Sequence, residues 1–519
     1  MGVQRGLGRG LPNAWVAPDG RTVYTRARMR GRFGQPLPPS PQARCRPWVG
    51  PLLAGLSLVL AAACARVGAP DEEDGSPPPL DALRSMSPLG TRTLQLLERV
   101  VRIDSAGGDE TAVARQIADY LEVAGVETEL LPWRAGRASL LARLGPRRGS
   151  PLVLLSHLDA PPADPRRWPD GEGPFDGTRR DGDLVGRGVL GGKGLAVVHA
   201  NVVSQLSERE AELVRPVVML AVAGGLEIDG GATSIALESQ PDLRSSFLVL
   251  TLGGYTLVDP DLEDRWLHWI SIAEPGWASI QMTAVGDASD PAPARLARAL
   301  PPVVRDGPRT RLTPSAEAAL EALGQTASPG ATLAYRWSLL GRLLVVPRWT
   351  EIPFLSGLVR ESVDVTRLVS GGAVPSTARA RAALRCRYFP GTTTGDLRTR
   401  FRRLADARRV FFTLSSWTPP VRSPGPTAGL GARLEEASHR PGIRQAVAYG
   451  LAVQPTPAGP FRRLRQPTVL GFWPIPVTPD DWSRIDRPGE RVDLEDYLES
   501  AERLRDLVFD LSGELSPTA

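Results

Sequence analysis

Buried strands alternating with helices predict an α/β layered domain, interrupted near its middle by an inserted α+β module. Three observations carry this reading. Short apolar runs at Leu152–Leu155, Val217–Val222 and Phe247–Leu250 are bounded by turn or polar residues, as strands covered on both faces require, and the helical stretch Gly194–Leu206 separates the first two. From Glu274 the pattern changes to alternating strands at Ala278–Val285 and Ala380–Tyr388, Pro/Gly-rich connections and an amphipathic helix at Gly395–Ala407. Strand and helix return at Pro467–Gly471 and Leu494–Leu511, so the first domain is predicted to be discontinuous. Helical spacing at Thr91–Ile103 and at Glu110–Ala124, the second closed by Gly125, starts the folded part near Leu89. In such sheets ligands collect at the carboxyl ends of the strands, so the residues following each strand matter most.

The composition narrows the classes of function. The chain has 519 residues, 42% of them hydrophobic and 23% charged, which suits a globular protein of several domains and excludes wholesale disorder or a polytopic membrane protein. Only four histidines (His157, His199, His268, His439) and three cysteines (Cys45, Cys64, Cys386) are present, so a disulfide scaffold is excluded and any metal site must lean on carboxylates. The formal charge is +5, Lys193 is the sole lysine, and aromatics do not interleave with a basic stripe. No nucleic-acid partner is expected.

Residues 1–63 hold nine arginines and the single acid Asp19, and end in an uncharged stretch from Pro47 containing the apolar run Leu52–Leu60. This is the n-region and h-region of a signal peptide, with Met29 as an alternative start. The ending Leu60-Ala61-Ala62-Ala63-Cys64 resembles a bacterial lipobox. The resemblance implies cleavage before Cys64, lipid on that residue, and anchoring in the cell envelope at the periplasmic face of the outer membrane. The alternatives are an ordinary secretory signal with an incidental cysteine, or a short anchor helix. Residues 64–88, with Asp71-Glu72-Glu73-Asp74 and Pro77-Pro78-Pro79, read as a disordered tether. Removing residues 1–63 turns the formal charge slightly negative, so the apparent basicity belongs to the export signal.

The chemistry-bearing motifs begin where the first strand ends. Ser156-His157-Leu158-Asp159 places an acid two residues beyond a histidine, where it can orient the imidazole. Pro162-Ala163-Asp164-Pro165, Trp168, Pro174-Phe175-Asp176-Gly177, Arg180 to Gly188 and Lys193-Gly194 follow in order. Together with Arg102-Ile103-Asp104-Ser105 upstream and Pro390-Gly391 and Glu490-Arg491-Val492 downstream, this series resembles the co-catalytic zinc exopeptidases and amidohydrolases that include glutamate carboxypeptidase, acetylornithine deacetylase and succinyl-diaminopimelate desuccinylase. The resemblance runs from Leu89 to the C-terminus. It implies a zinc-exopeptidase-like three-layer domain, a mixed sheet flanked by helices, over residues 89–273 and 416–519, with an α+β lid and dimerisation domain over 274–415. It also implies two zinc ions bridged by an activated water whose proton passes to a glutamate.

Carried over position by position, His157 is the first ligand and Asp159 its orienting acid. The bridging aspartate position is Gly191, the general-base position is Leu226, and the next acidic ligand position is Leu252. Glu227 aligns with a ligand, Asp486 stands where the last ligand histidine is expected, and Arg462 matches the arginine that takes the substrate carboxylate. The lid histidine is replaced within Gly286-Asp287-Ala288-Ser289. Leucine beside a divalent cation leaves its charge uncompensated, so the usual two-zinc site is not expected. The remaining candidate donors are His157, Glu227, Asp229 and Asp486. The sequence therefore points to a lipid-anchored relative of these hydrolases that binds a peptide-like ligand or protein partner without catalysis. The competing readings are an active peptidase or N-acyl amino acid deacylase with a reduced metal centre, and a structural homodimer formed through the lid. His199 and His268 are expected to be packed, and His439 to lie at a solvated helix end.

Overall fold

The computed structural model describes residues 88–168, 172–227, 230–258, 265–287, 289–326, 346–371, 379–405 and 409–513. All belong to the second of two compact units, Pro77–Ala519. The signal segment 1–63, Cys64, the tether through residue 87 and the candidate donor Asp229 lie outside the described residues. Among those described, no helix is long and apolar enough to cross a membrane.

The chain enters through two helices, α1 (Pro88–Val101) and α2 (Glu110–Val123), whose apolar residues repeat at helical spacing. Leu94, Leu97, Val100 and Val101 of the first, and Val113, Ile117 and Leu121 of the second, are fully buried on one face of the main sheet. Each such side chain contributes roughly 1.5–3 kcal/mol by leaving water. The hairpin β1 (Glu127–Arg134) and β2 (Arg137–Leu144) forms one edge of that sheet. Next come β3 (Leu152–His157), α3 (Gly192–Ser207), β4 (Val217–Val222), β5 (Leu248–Thr251), β6 (Tyr255–Val258) and β7 (Arg265–Glu274).

The lid is built from β8 (Gly276–Val285), α4 (Ala292–Asp306), β9 (Ser362–Gly371), β10 (Arg379–Tyr388), α7 (Thr394–Ala405) and β11 (Val410–Thr418). Its four strands are antiparallel in the order β9-β10-β8-β11, and the alternating small and apolar residues Ala278, Ile280, Met282, Ala380, Ala382 and Leu384 pack against α4 and α7. Between α4 and β9 the chain leaves the lid. Helices α5 (Pro314–Thr326) and α6 (Pro353–Val359) bury Leu320, Leu323, Phe354 and Leu358 against Leu267 and Trp269 of β7 and against Ala446 and Ala448. A segment inside the expected boundaries 274–415 therefore belongs, by its packing, to the main domain.

After the lid, β12 (Val421–Arg422) and β13 (Arg444–Leu451) pair with β7, β14 (Thr468–Gly471) with β5, and β15 (Pro476–Val477) with β6. Helices α8 (Pro479–Arg484) and α9 (Leu494–Gly513) complete the chain. The main sheet runs β1-β2-β4-β3-β5-β14-β7-β6-β15, and its centre, β4-β3-β5-β14, is parallel. Helices α1, α2, α3 and α9 cover one face, while the helices Thr233–Ser239 and Gly459–Leu464 help cover the other. This is the expected three-layer α/β domain. Its four parallel strands deliver His157, Ala223, Leu252 and Phe472 to one edge.

Candidate functional site

His157 is the last residue of β3 and is almost fully buried. Its Nδ1 lies 3.1 Å from both the backbone oxygen and the Oδ1 of Asp159, so Nδ1 carries the proton and donates it. Burial opposes protonation of the ring, but the Asp159 carboxylate outweighs it and raises the pKa. Asp159 accepts two further bonds, from the backbone N–H of Gly225 at 2.8 Å and of Leu226 at 3.0 Å. Against the cost of burial, the His157 and Leu226 contacts hold its pKa below the usual carboxylate value. The His157–Asp159 pair thus fixes the turn that follows β4. His157 Nε2 is buried and has no hydrogen-bond partner.

That nitrogen is the natural place to test for a metal. Gly191 is the N-cap of α3, and a side chain there would meet nothing nearer than 3.6 Å, so the backbone leaves room for a side chain where the resemblance expects the bridging aspartate. The adjacent Gly192 differs, because a Cβ would come 2.3 Å from His157 Nδ1. Leu252 is buried in the apolar core on the α1 face. Leu226 lines the cleft and supplies only its backbone. Glu227 turns away from the role expected of it: Arg134 Nη1 reaches its two oxygens at 3.0 and 3.2 Å, and Arg137 Nη1 reaches Oε1 at 3.1 Å. Arg137 also grips the fully buried Glu110, whose oxygens lie 2.9 Å from Nε. Asp486 follows α8 in the left-handed region, φ 59°, and is exposed at the cleft wall, where its charge favours the protonated form of His157. Among the described residues no three of His, Cys, Asp or Glu gather as a metal site. His157, Glu227 and Asp486 therefore do not form the ligand set the sequence allowed, and the donors do not fit a pair of zinc ions.

Arg462 also stands elsewhere. It is fully buried, pairs with Glu274, and donates to Thr456 Oγ1 at 3.3 Å and to Ser271 O at 3.2 Å. It lines neither cavity at the strand ends. Behind the site, Glu490 is fully buried and accepts from the backbone N–H of Leu190 and Asp486, each at 3.2 Å, with Arg187 3.6 Å away. Burial and the neighbouring Asp486 carboxylate push its pKa up to about 8. His199 and His268 are buried, as expected, and the exposed His439 caps the helix ending at Ser438.

The lid contributes side chains that sequence reasoning did not single out. A cleft of about 530 Å³ is walled by Arg137, Asp159, Leu226 and Asp486 from the main domain and by Trp277, Asp364 and Arg385 from the lid. A second cavity of about 560 Å³ shares Asp364 and Asp486 and is lined by Arg387, which is buried and whose Nη1 has no hydrogen-bond partner. The signal was present, because period-two alternation along a strand puts Arg385 and Arg387 on the same face.

A parallel-centred sheet with a His-x-Asp pair at its carboxyl edge, under an antiparallel lid, defines the class of two-domain metallo-exopeptidase folds. The chain belongs to peptidase family M20/M25/M40, whose profile matches residues 153–510. Mouse N-fatty-acyl-amino acid synthase/hydrolase PM20D1 is 25% identical over 376 residues, covering 67% of this chain and 71% of that protein. Succinyl-diaminopimelate desuccinylase of Gluconacetobacter diazotrophicus is 30% identical over 146 residues, 28% of this chain and 37% of that one. The M20 family metallo-carboxypeptidase Sso-CP2 from Sulfolobus solfataricus superposes with TM-score 0.60 at 17% identity, covering 82% of this chain and 99% of the other. Human carnosine dipeptidase 1 does so with TM-score 0.57 at 14% identity over 82% and 97%. These superpositions share the fold.

Proposed function

We propose that this member of the M20 family has lost hydrolysis and uses the cleft to bind a ligand with the features of a peptide or an N-acyl amino acid. One observation carries the reading: Gly191, Leu226 and Leu252 occupy the bridging, base and acidic-ligand positions while the cleft above them persists. Arg385 on the cleft and Arg387 on the adjoining cavity supply guanidinium charge for a ligand carboxylate. The relation to an N-fatty-acyl-amino acid synthase/hydrolase supports the N-acyl class. We further propose anchoring of the protein in the bacterial envelope through lipid at Cys64, and a lid that offers a face for a homodimer. Calorimetry with dipeptides and N-acyl amino acids tests the reading: saturable binding without turnover supports it. Chelator-sensitive hydrolysis overturns it. That outcome belongs to a second reading, a hydrolase with a reduced one-metal centre, favoured by the unpartnered His157 Nε2.

A further inference from the structure

Asp159, Glu227, Asp364 and Asp486 all line one cleft. Carboxylates set along one cleft attract cations to their shared field, and Asp364 and Asp486 contribute to it from exposed positions. Asp159 is answered by His157 and two backbone N–H groups, and Glu227 by Arg134 and Arg137. Asp364 accepts from Ser362 Oγ at 3.2 Å, and the charge of Asp486 is met first by Arg187 and His157. Arg385 stands directly across from Asp364 in the β9–β10 ladder, and both carboxylates act on its charge. The guanidinium lies over the Trp277 ring, with Cζ 4.8 Å from the centroid. Its Nη2 crosses from lid to main domain and donates to the carbonyl oxygen of Leu226 at 3.2 Å. It therefore reaches the residue that occupies the general-base position, in the turn held by Asp159.

We propose that Arg385 is a cation that the lid places in the cleft, and that its bond to Leu226 latches the lid to the main domain in the absence of ligand. A guanidinium suits this place because it stays charged, stacks on an aromatic face and spreads several donors over one plane. The latch has a consequence for the cleft. A divalent ion approaching Asp486 meets the charge of Arg385, and a ligand entering between Trp277 and Leu226 has to share or displace that one hydrogen bond. The proposal goes beyond the ligand-binding reading above and does not depend on which ligand is bound.

Hydrogen exchange on the full chain tests it, with R385A compared to wild type. Amides of Ala223–Glu227 and of β10 are expected to exchange about tenfold faster in R385A, because the crossing contact is lost while the fold is retained. Millimolar ethylguanidinium, which matches the removed group, is expected to restore protection, and ethylammonium is expected not to. Wild-type exchange in R385A, or faster exchange that ethylguanidinium leaves unchanged, overturns the latch. Should R385A fail to fold, R385M, which keeps an apolar stem and has no donor for Leu226 O, carries the exchange comparison. Zinc content is measured in the same wild-type samples. Stoichiometric zinc there overturns the loss-of-hydrolysis reading, whereas the rescue experiment alone decides the latch.

Discussion

Substituting Arg462 by methionine separates a structural role from a ligand-binding one. The side chain is fully buried, its partner Glu274 is nearly so, and Thr456 Oγ1 donates to the same Glu274 oxygen at 2.6 Å. In R462M the Glu274 carboxylate keeps one hydroxyl and loses the buried Arg462 guanidinium. Breaking a buried pair from one side costs about 3–5 kcal/mol, and losing the bond to Ser271 O adds about 1 kcal/mol. Set against a typical total of about 5–15 kcal/mol, this is about a quarter or more of the stability. Urea unfolding followed by tryptophan fluorescence is expected to show a strongly lowered midpoint for R462M. The double variant E274L/R462M is expected to recover most of the loss, because replacing both members of a buried pair by apolar groups is close to neutral. Wild-type unfolding of R462M combined with lost ligand affinity would refute this assignment and return Arg462 to the substrate-carboxylate role that its sequence position implies.

Three further outcomes follow from buried titratable groups. Glu490, pushed up from 4.5 to about 8, binds its proton more tightly folded than unfolded, so its contribution to stability is present below about pH 4.5 and is lost as pH rises to about 8; urea midpoints across that window should fall less in E490Q than in wild type. His199 in α3 has no partner for either ring nitrogen, and burial lowers its pKa from 6.5 to about 3. It stays neutral in the folded state and takes up a proton on unfolding, so stability falls as pH drops from about 6.5 to about 3, and H199L should flatten that acid limb in the same assay. Cys386 lies in the lid core, where burial pushes its thiol up to about 12, so mass spectrometry should find it unalkylated by iodoacetamide until the lid is unfolded.

Much of the fold is legible in the sequence because its strands are buried on both faces. Leu152–Leu155 and Val217–Val222 read as buried strands from apolar content alone, and the structure places them side by side in parallel. The hairpin Glu127–Leu144 lacks that signal, since β1 is an edge strand with alternating exposed residues. The excursion of α5 and α6 out of the lid is hidden for another reason: an amphipathic helix does not say which domain its apolar face meets. At the site, the glycine and leucines in place of catalytic residues are visible as sequence, but the fate of the surviving donors is not. Glu227 aligns as a ligand, yet the two arginines that claim its carboxylate come from β1 and β2, some ninety residues earlier in the chain. Arg462 aligns with the arginine that takes a substrate carboxylate, yet it pairs with Glu274. Arg385 and Asp364 become neighbours of the site only through the lid register.

If, as we propose, the strand ends hold no working metal centre, zinc stoichiometry and turnover measured on the same protein both show it. Full-length protein equilibrated with zinc and then dialysed is predicted to retain far less than one zinc ion per chain. It is also predicted to leave dipeptides and N-acyl amino acids uncleaved, with or without chelator. Two zinc ions per chain, with hydrolysis that a chelator abolishes, would instead establish a working metal centre at the strand ends.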